Sequence, residues 1–589
     1  MPRTTLALTS FVSGEFSAKL DGRTDFQKYN SSCKTLENFL IHPQGAATRR
    51  VGTQFIAEVK SSAAKTRLIP FEFSTTQTYI MEFGNNYIRF FKDKGQITSG
   101  GSAYEISSPY ATSELFDIKF AQSADVMYLC HPNHDVRKLS RTGHTSWTLA
   151  TVSFTGSPSP AISGADNRPS CVSFFEQRLV FANTNNNPQT LFFSKSGDYE
   201  NMTTGTNADD AMIYTIASNQ VNAIQFLKAQ RTLIVGTTGG EFTVSADGTN
   251  ASITPTNILI NRQSSYGSAN VDAIPAGNAT LFLQRAKRKI RELAYNFDVD
   301  GYQAADMTIL NDTVTTSGIN EMAYQQSPDS ILWCVRDDGV LAGLTYQRAE
   351  QVTAWHRHIL GGAFGNGSAV VESVASISGA INEDELWVIV KRTINGATKR
   401  YVECFADFDF DETTSTDFRF LDSHLTYDGS ATTTLSGLSH LEGQSVSILA
   451  DGSAHTNKTV SSGAITLDRS VTKAVVGLSY DSVLQTMRIE GGAAEGTSQG
   501  KTKRISKVVL RLFETVGVKV GPSLTNLETI PFRTTSSPMG TPVSTFIAGD
   551  KEIEFNDDFN SDGFIFVKQD QPLPCSVLAI YPTLVTSDG

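Results

Sequence analysis

The sequence predicts a mainly β fold, with a β-propeller-like repeat domain of about six blades flanked by two further β-rich regions. Three observations carry this. Short apolar strands recur at a near-constant spacing: Val126, Leu179, Leu233, Leu281, Ile331 and Leu386 open equivalent strands at intervals of 53, 54, 48, 50 and 55 residues. Gly (45) and Phe (35) are frequent, with Ser and Thr throughout, which favours strands and turns over helices. No coiled-coil heptad and no long helical period interrupts the pattern.

Each repeat pairs two strands across a polar turn: ADVMYLC with VRKLS, QRLVFAN with TLFFS, RTLIVGT with EFTVS, ATLFLQ with IRELAY, SILWCV with LAGLTY, and ELWVIV with RYVECF. The turns NTNNNP, TTGG, RDDG and TINGA supply the Asn, Asp and Gly that tolerate positive φ. A period near fifty fits one propeller blade, whose small sheet must stack on its neighbours to bury both faces. The alternative is an extended array of β-sandwiches.

Three regions follow: 1–117, an N-terminal β-rich region; 118–405, the propeller-like domain; and 406–589, a C-terminal β-rich domain. In the first, YIMEF and YIRFF around Gly84-Asn85-Asn86 form the clearest hairpin. Upstream, Thr24 with Gln27 imitates a capping box, and Phe26, Tyr29, Leu36 and Phe39 share a helical face, which predicts a short helix. After Phe405 a charged connector, DFDFDETTSTDFRFLD, leads to the strands SVSILADG, AITLD, AVVGLSY, KVVLRLFE, GFIFVKQD and SVLAIY.

With 589 residues, the chain exceeds what one hydrophobic core supports. The net charge of −11 with scattered Lys and Arg gives no basic face for sequence-specific nucleic-acid binding, although an acidic wall would repel a passing duplex and keep it from sticking. Cys33, Cys130, Cys171, Cys334, Cys404 and Cys575 lack CxxC or zinc spacing and read as reduced, buried hydrophobes. The N-terminus has no small-x-small cleavage site and no stretch reaches the length of a membrane span, so synthesis in the cytoplasm without export is expected.

The motifs that carry chemistry are missing: no GxSxG, Walker A, HExxH, or GxGxxG after a strand occurs. SRTGHTSW lacks the Asp of a sialidase box. His131 with His134, and His356 with His358, are spaced so that a strand puts the latter two on one face, as metal ligands would require, but no companion ligand stands nearby in sequence. Asp558–Gly563, Asn296–Gly301 and Asp407–Asp411 imitate parts of a calcium loop; without the closing Glu they read as solvated turn residues. No catalytic, cofactor or metal residue is assigned, and no enzyme activity is expected.

The opening stretch, SGEFS followed by Leu20, Arg23-x-Asp25, Tyr29, Asn38, Gly45 and Arg49-Arg50-x-Gly52, resembles the tail nozzle proteins (tail tubular protein B) of short-tailed bacteriophages, the podoviruses. The resemblance extends to LIPFEFSTTQTYIMEFGNNYIRFF, FEQRLVFANTNNNPQTLFFSKSGDYENM, GLSHLEGQSVSILADG, VVGLSYDSVLQTM and QPLPCSVLAIYP. It implies a virion tail component: a homohexamer at the distal end, docked on the ring of the adaptor protein and contacting tail fibres or spikes. Such a ring lines the last part of the channel for double-stranded DNA ejection, without sequence specificity, and faces the host outer surface. It also implies a propeller-like domain inserted between platform-forming segments.

On that resemblance, Arg23, Asp25, Arg49 and Arg50 are candidate assembly residues, since bidentate Arg–carboxylate pairs fix register between subunits of a closed ring. The alternative is an intrachain ion pair beneath the first β region. The loops Ser194–Asp209 and Arg488–Thr502 are candidate mobile segments of a channel gate. A polysaccharide or peptidoglycan hydrolase and a glycan-binding adhesin remain as alternative functions on the same fold.

Overall fold

The computed structural model describes residues 3–217, 220–248, 251–379, 383–407, 415–491, 497–532 and 547–587. Seven small antiparallel sheets follow one another along the chain as propeller blades. Blade one is built on Arg67–Ser74, Gln77–Gly84 and Tyr87–Lys92; blades two to five are four-stranded units starting at Lys119, Pro169, Ile224 and Ile274; blade six starts at Ile319 and blade seven at Val370. The six repeat positions found in the sequence all lie in the second strands of blades two to seven.

The number of blades is therefore seven, not about six. The additional blade is the YIMEF–YIRFF hairpin, which the sequence alone placed in the N-terminal region 1–117. Its turn forms as expected, with Gly84 opposite Tyr87 and Asn86 left-handed at φ 63°. Its outer edge is two short segments, Gly95–Gln96 and Glu105–Ser107, in place of one full strand, which hid the period.

The ring is closed by a strand from outside the repeat. Thr53–Glu58 pairs antiparallel with Ala397–Phe405 and completes blade seven, so residues near the N-terminus hold the last blade. Across the closure, Ser373 Oγ donates to Glu321 and accepts from the Leu68 amide, and Arg67 Nε lies 2.8 Å from Glu321. Blades one, six and seven thus share one buried polar network.

The flanking regions are not two separate domains. Residues from both ends of the chain make one platform. One sheet runs Phe39–Ile41, Ala47–Arg49, Ser576–Ser587, Thr502–Thr515 and Ile547–Glu554, with Arg3–Thr5 added on Ser576–Ser587. The other contains Gly14–Glu15, Ser32–Glu37, Ser482–Thr486, Phe566–Gln569 and Lys519–Ser523, and is continuous with the last strand of blade six. Between them Phe11, Leu36, Phe39, Leu484, Val508, Leu510, Val567, Val577 and Ile580 form the core. The remaining segment, Asp422–Leu478, is an arm that continues the sheet of blade seven, because Asp422–Ser436 pairs with Thr53–Glu58. Its 15-residue strands Asp422–Ser436 and Ala464–Leu478 pair, and it has its own core of Leu441, Val446, Ile448, Ile465 and Val476.

The predicted short helix is absent. The segment contains two 3₁₀ turns, Ala18–Leu20 and Tyr29–Ser31, and then strands; Leu36 and Phe39 sit in Ser32–Glu37 and Phe39–Ile41. Their spacing matched a helical face by chance, and pairing with Ser482–Thr486 and Ala47–Arg49 decides the conformation. All six cysteines are free and buried, as expected. Among the described residues no helix is long and apolar enough to cross a membrane.

Candidate functional site

The junction of propeller, arm and platform is organised by the Arg49-Arg50-Val51-Gly52 run. Arg49 ends a platform strand, and its guanidinium donates to the carbonyls of Leu573 (2.9 Å), Tyr480 (2.9 Å) and Gln571, with the Tyr480 ring 4.5 Å away. Burial holds its pKa below the usual arginine range, and the neighbouring Arg50 charge pushes the same way. Arg50 points the other way. It grips Asp422 at 2.8 and 2.7 Å, donates from Nε to Asn38 Oδ1 at 2.8 Å, and lies 3.7 Å over the Tyr480 ring.

Asp422 also accepts the amides of Thr53 (3.1 Å) and Gly361 (2.7 Å). Burial alone would raise its carboxyl, but the Arg50 charge prevails and holds it below the ordinary range. A second buried pair, Arg392 with Glu403, touches the same strand through Thr53 Oγ1, 2.6 Å from Glu403. Asn38 is left-handed at φ 56° and fastens Asp481 and Ile359 carbonyls at 2.6 and 3.1 Å. Gly52 is required by contact, because a Cβ there would stand 1.8 Å from the Leu421 carbonyl oxygen.

Upstream, Gly14 has φ 64° and its Cβ would meet the Trp355 backbone at 2.5 Å. Glu15, 5% exposed, accepts the Leu36 amide and Arg357 Nε at 2.8 and 3.0 Å. The SGEFS run therefore seats the chain against the last strand of blade six.

This placement corrects the assembly assignment of Arg49 and Arg50. Both are 1% exposed, with the terminal nitrogens of Arg49 and all the nitrogens of Arg50 engaged within the chain, so neither can reach a neighbouring subunit. Their role is the intrachain one. Arg23 and Asp25 are exposed, at 58% and 68%, and pair with each other in bidentate fashion at 2.9 Å on the turn between the two 3₁₀ segments.

His356 and His358 do share a face, but both are fully buried and bond directly, His356 Nδ1 to His358 Nε2 at 2.6 Å, with Thr345 Oγ1 on the other His356 nitrogen. Burial pushes His356 down to about 3 and lowers His358 as well, so the two are neutral packing groups. His131 and His134 meet Glu114 with ligand atoms within 4.8 Å. His131 Nδ1 accepts the Asn133 amide at 3.0 Å, which puts its proton on Nε2, and Glu114 already accepts from His134, Ala111 and Asn133. The cluster binds the turn Thr112–Asp117 to blade two.

Of the calcium-like fragments, Asn296–Gly301 is a hairpin turn with Asp300 left-handed, and in Asp558–Gly563 Asn560 Oδ1 accepts the Asp562 and Gly563 amides. Asp407–Asp411 lies outside the described residues beyond Asp407. Ser194–Asp209 is anchored at both ends by Arg178, which donates to the carbonyls of Ser194 (2.7 Å) and Ala208 (2.6 Å). Arg488–Thr502 falls partly outside the described residues.

No protein-family model matches the sequence, and no curated protein does. Among solved structures the chain is similar to the β-propeller domain of Cps50 (Swd1) of Myceliophteria thermophila, at 9% identity over 60% of this chain and 99% of that one, with a TM-score of 0.36. It is likewise similar to the WD40 domain of Neurospora crassa Pan2, at 8% identity over 62% and 96% with TM-score 0.36, and to U3-55K, at 9% over 60% and 100% with TM-score 0.37. The seven-bladed assignment follows from the strand pairing itself.

Proposed function

We propose that this chain is a structural subunit of the distal tail nozzle of a short-tailed bacteriophage. In this reading it forms a homohexameric ring, docks on the adaptor ring, contacts fibres or spikes, and conducts double-stranded DNA without catalysis. The observation that carries it is the convergence of separate resemblance motifs on one joint. The side chains of Arg49 and Arg50 from the opening stretch meet Tyr480 of VVGLSYDSVLQTM, and Arg49 also meets Gln571 and Leu573 of QPLPCSVLAIYP. Motifs hundreds of residues apart in sequence thus act together to insert a propeller into a platform, the construction that the resemblance implies. The exposed Arg23–Asp25 turn offers a pair that can exchange partners with a second copy.

The experiment is native mass spectrometry and electron microscopy of the purified protein, alone and with the adaptor ring of the same phage. Six-fold rings with a central hole, at about six times the 63.9 kDa chain mass, are expected. Monomers in both preparations, or release of reducing sugar from host envelope, would overturn the proposal.

A further inference from the structure

The first strands of all seven blades surround a central cavity of about 450 Å³. Each of these strands ends its sheet, so a row of main-chain N–H and C=O groups faces the space with no strand to pair it. The lining surface is about as polar as it is apolar: Leu68, Val172, Leu227 and Val374 are packed into the cores between blades, and the partly buried Phe120 and Phe174 are the large apolar side chains beside the space.

Five charged side chains line the space: Arg67, Lys119 and Lys228 against Asp272 and Glu321. Four of them are spent in pairs. Arg67 Nε is 2.8 Å from Glu321, and Lys119 Nζ is 3.1 Å from Asp272 with Lys119 itself 4% exposed. The side-chain amides are also engaged: Asn270 Nδ2 with Asp117, Asn320 Nδ2 with Asp337, and Gln122 Nε2 with the Glu72 and Ala124 carbonyls. Lys228, half-buried on blade four, has no hydrogen-bond or ion-pair partner among the described residues. One positive charge is therefore left over in a chamber with low-dielectric walls, which concentrates field on a small anion.

We propose that this cavity is a binding site for a small organic monoanion, a single carboxylate on a body of about one ring, held by the Lys228 ammonium. One carboxylate neutralises the surplus charge, the Phe120 and Phe174 rings offer apolar surface to the ligand ring, and the strand-edge amides supply further donors. The site stands on the cavity alone and is independent of the tail assignment. Burial, opposed by Asp272 and reinforced by Lys119, lowers the Lys228 pKa in the empty cavity. Ligand binding and protonation of the amine consequently support each other, and carboxylate affinity declines as pH rises through that pKa.

The test uses ligand-observed NMR titration of the full chain with glucuronate and benzoate, and with glucose and benzyl alcohol as neutral counterparts. Saturable binding of at least one carboxylate, absent for its neutral counterpart, is expected. Lys228→Met weakens it at least tenfold and Lys228→Arg retains it. Because Lys228→Met deletes an unpaired ammonium, its melting temperature stays equal to or above that of the parent, so lost binding does not reflect unfolding. Equal affinity in the parent and Lys228→Met, or no saturable binding of either carboxylate, overturns the proposal.

Discussion

Replacing Arg50 by Ala separates the folding role of the Arg pair from any assembly role. Arg50 and Asp422 are 1% and 0% exposed in their side chains, so the substitution strands a carboxylate in the interior. Breaking such a pair by removing one partner costs about 3–5 kcal/mol. Asp422 keeps the amides of Thr53 and Gly361, which limits the loss, while the stack on Tyr480 disappears, which adds to it. We expect about 4 kcal/mol, or roughly a thousandfold in the folding equilibrium, since about 1.4 kcal/mol corresponds to a factor of ten. Equilibrium urea unfolding followed by tryptophan fluorescence reads this, because Trp333, Trp355 and Trp387 lie in blades six and seven beside the junction. The double substitution Arg50→Met with Asp422→Leu recovers part of the loss, because no charge is left unpaired, although the Thr53 and Gly361 amides lose their acceptor. A cost under about 1 kcal/mol for Arg50→Ala, or a double variant as unstable as the sum of the singles, would refute the assignment of this pair as the fold's central tie.

The histidines predict acid sensitivity. Burial holds His424 and His440 down to about 4 and His356 to about 3, against 6.5 in the unfolded chain. The unfolded chain takes up protons first as pH falls, so stability is full above about 6.5 and declines toward 4. Roughly 2.5 decades of proton affinity amount to on the order of 3 kcal/mol each for His424 and His440. A urea midpoint that stays constant between pH 6.5 and 4.5 would contradict this. Gly52→Ala pushes a methyl into the Leu421 carbonyl and should yield little folded protein by near-ultraviolet circular dichroism, whereas Gly22→Ala, with open space around its Cβ, should fold normally. Arg23→Ala combined with Asp25→Ala should leave monomer unfolding unchanged and reduce the ring fraction in native mass spectrometry; an unaltered ring fraction removes these two residues from the interface.

The propeller was legible because each blade writes its own signature. A buried second strand such as Ile331–Arg336 is apolar on successive positions and is followed by a polar turn and another strand, so local chemistry repeats at a fixed distance. Blade one broke the rule only at its outer edge. The closing strand Thr53–Glu58 had no such signature, because a single strand some 340 residues from its partner reads like any other. The assembly assignment of Arg49 and Arg50 failed for a related reason. Arg49 and Arg50 stand between Gly45 and Gly52 in a polar stretch that resembles a surface loop, and nothing local reveals that Tyr480, Gln571 and Asp422 converge there. Lys228 was equally silent: an isolated lysine at the end of a strand acquires meaning only once six other blades enclose it.

The sequence by itself determined what depends on near neighbours: the β character, the hairpin turns, the blade period and the inward-facing cysteines, because side-chain alternation and turn propensity act over a few residues. Tertiary structure alone decided how the ends combine into one platform, that seven blades close the ring, and that the paired arginines are internal ties. Those outcomes depend on which distant strand edges and charges meet, and burial turns a charge that would be surface decoration in water into a contact that needs a specific partner.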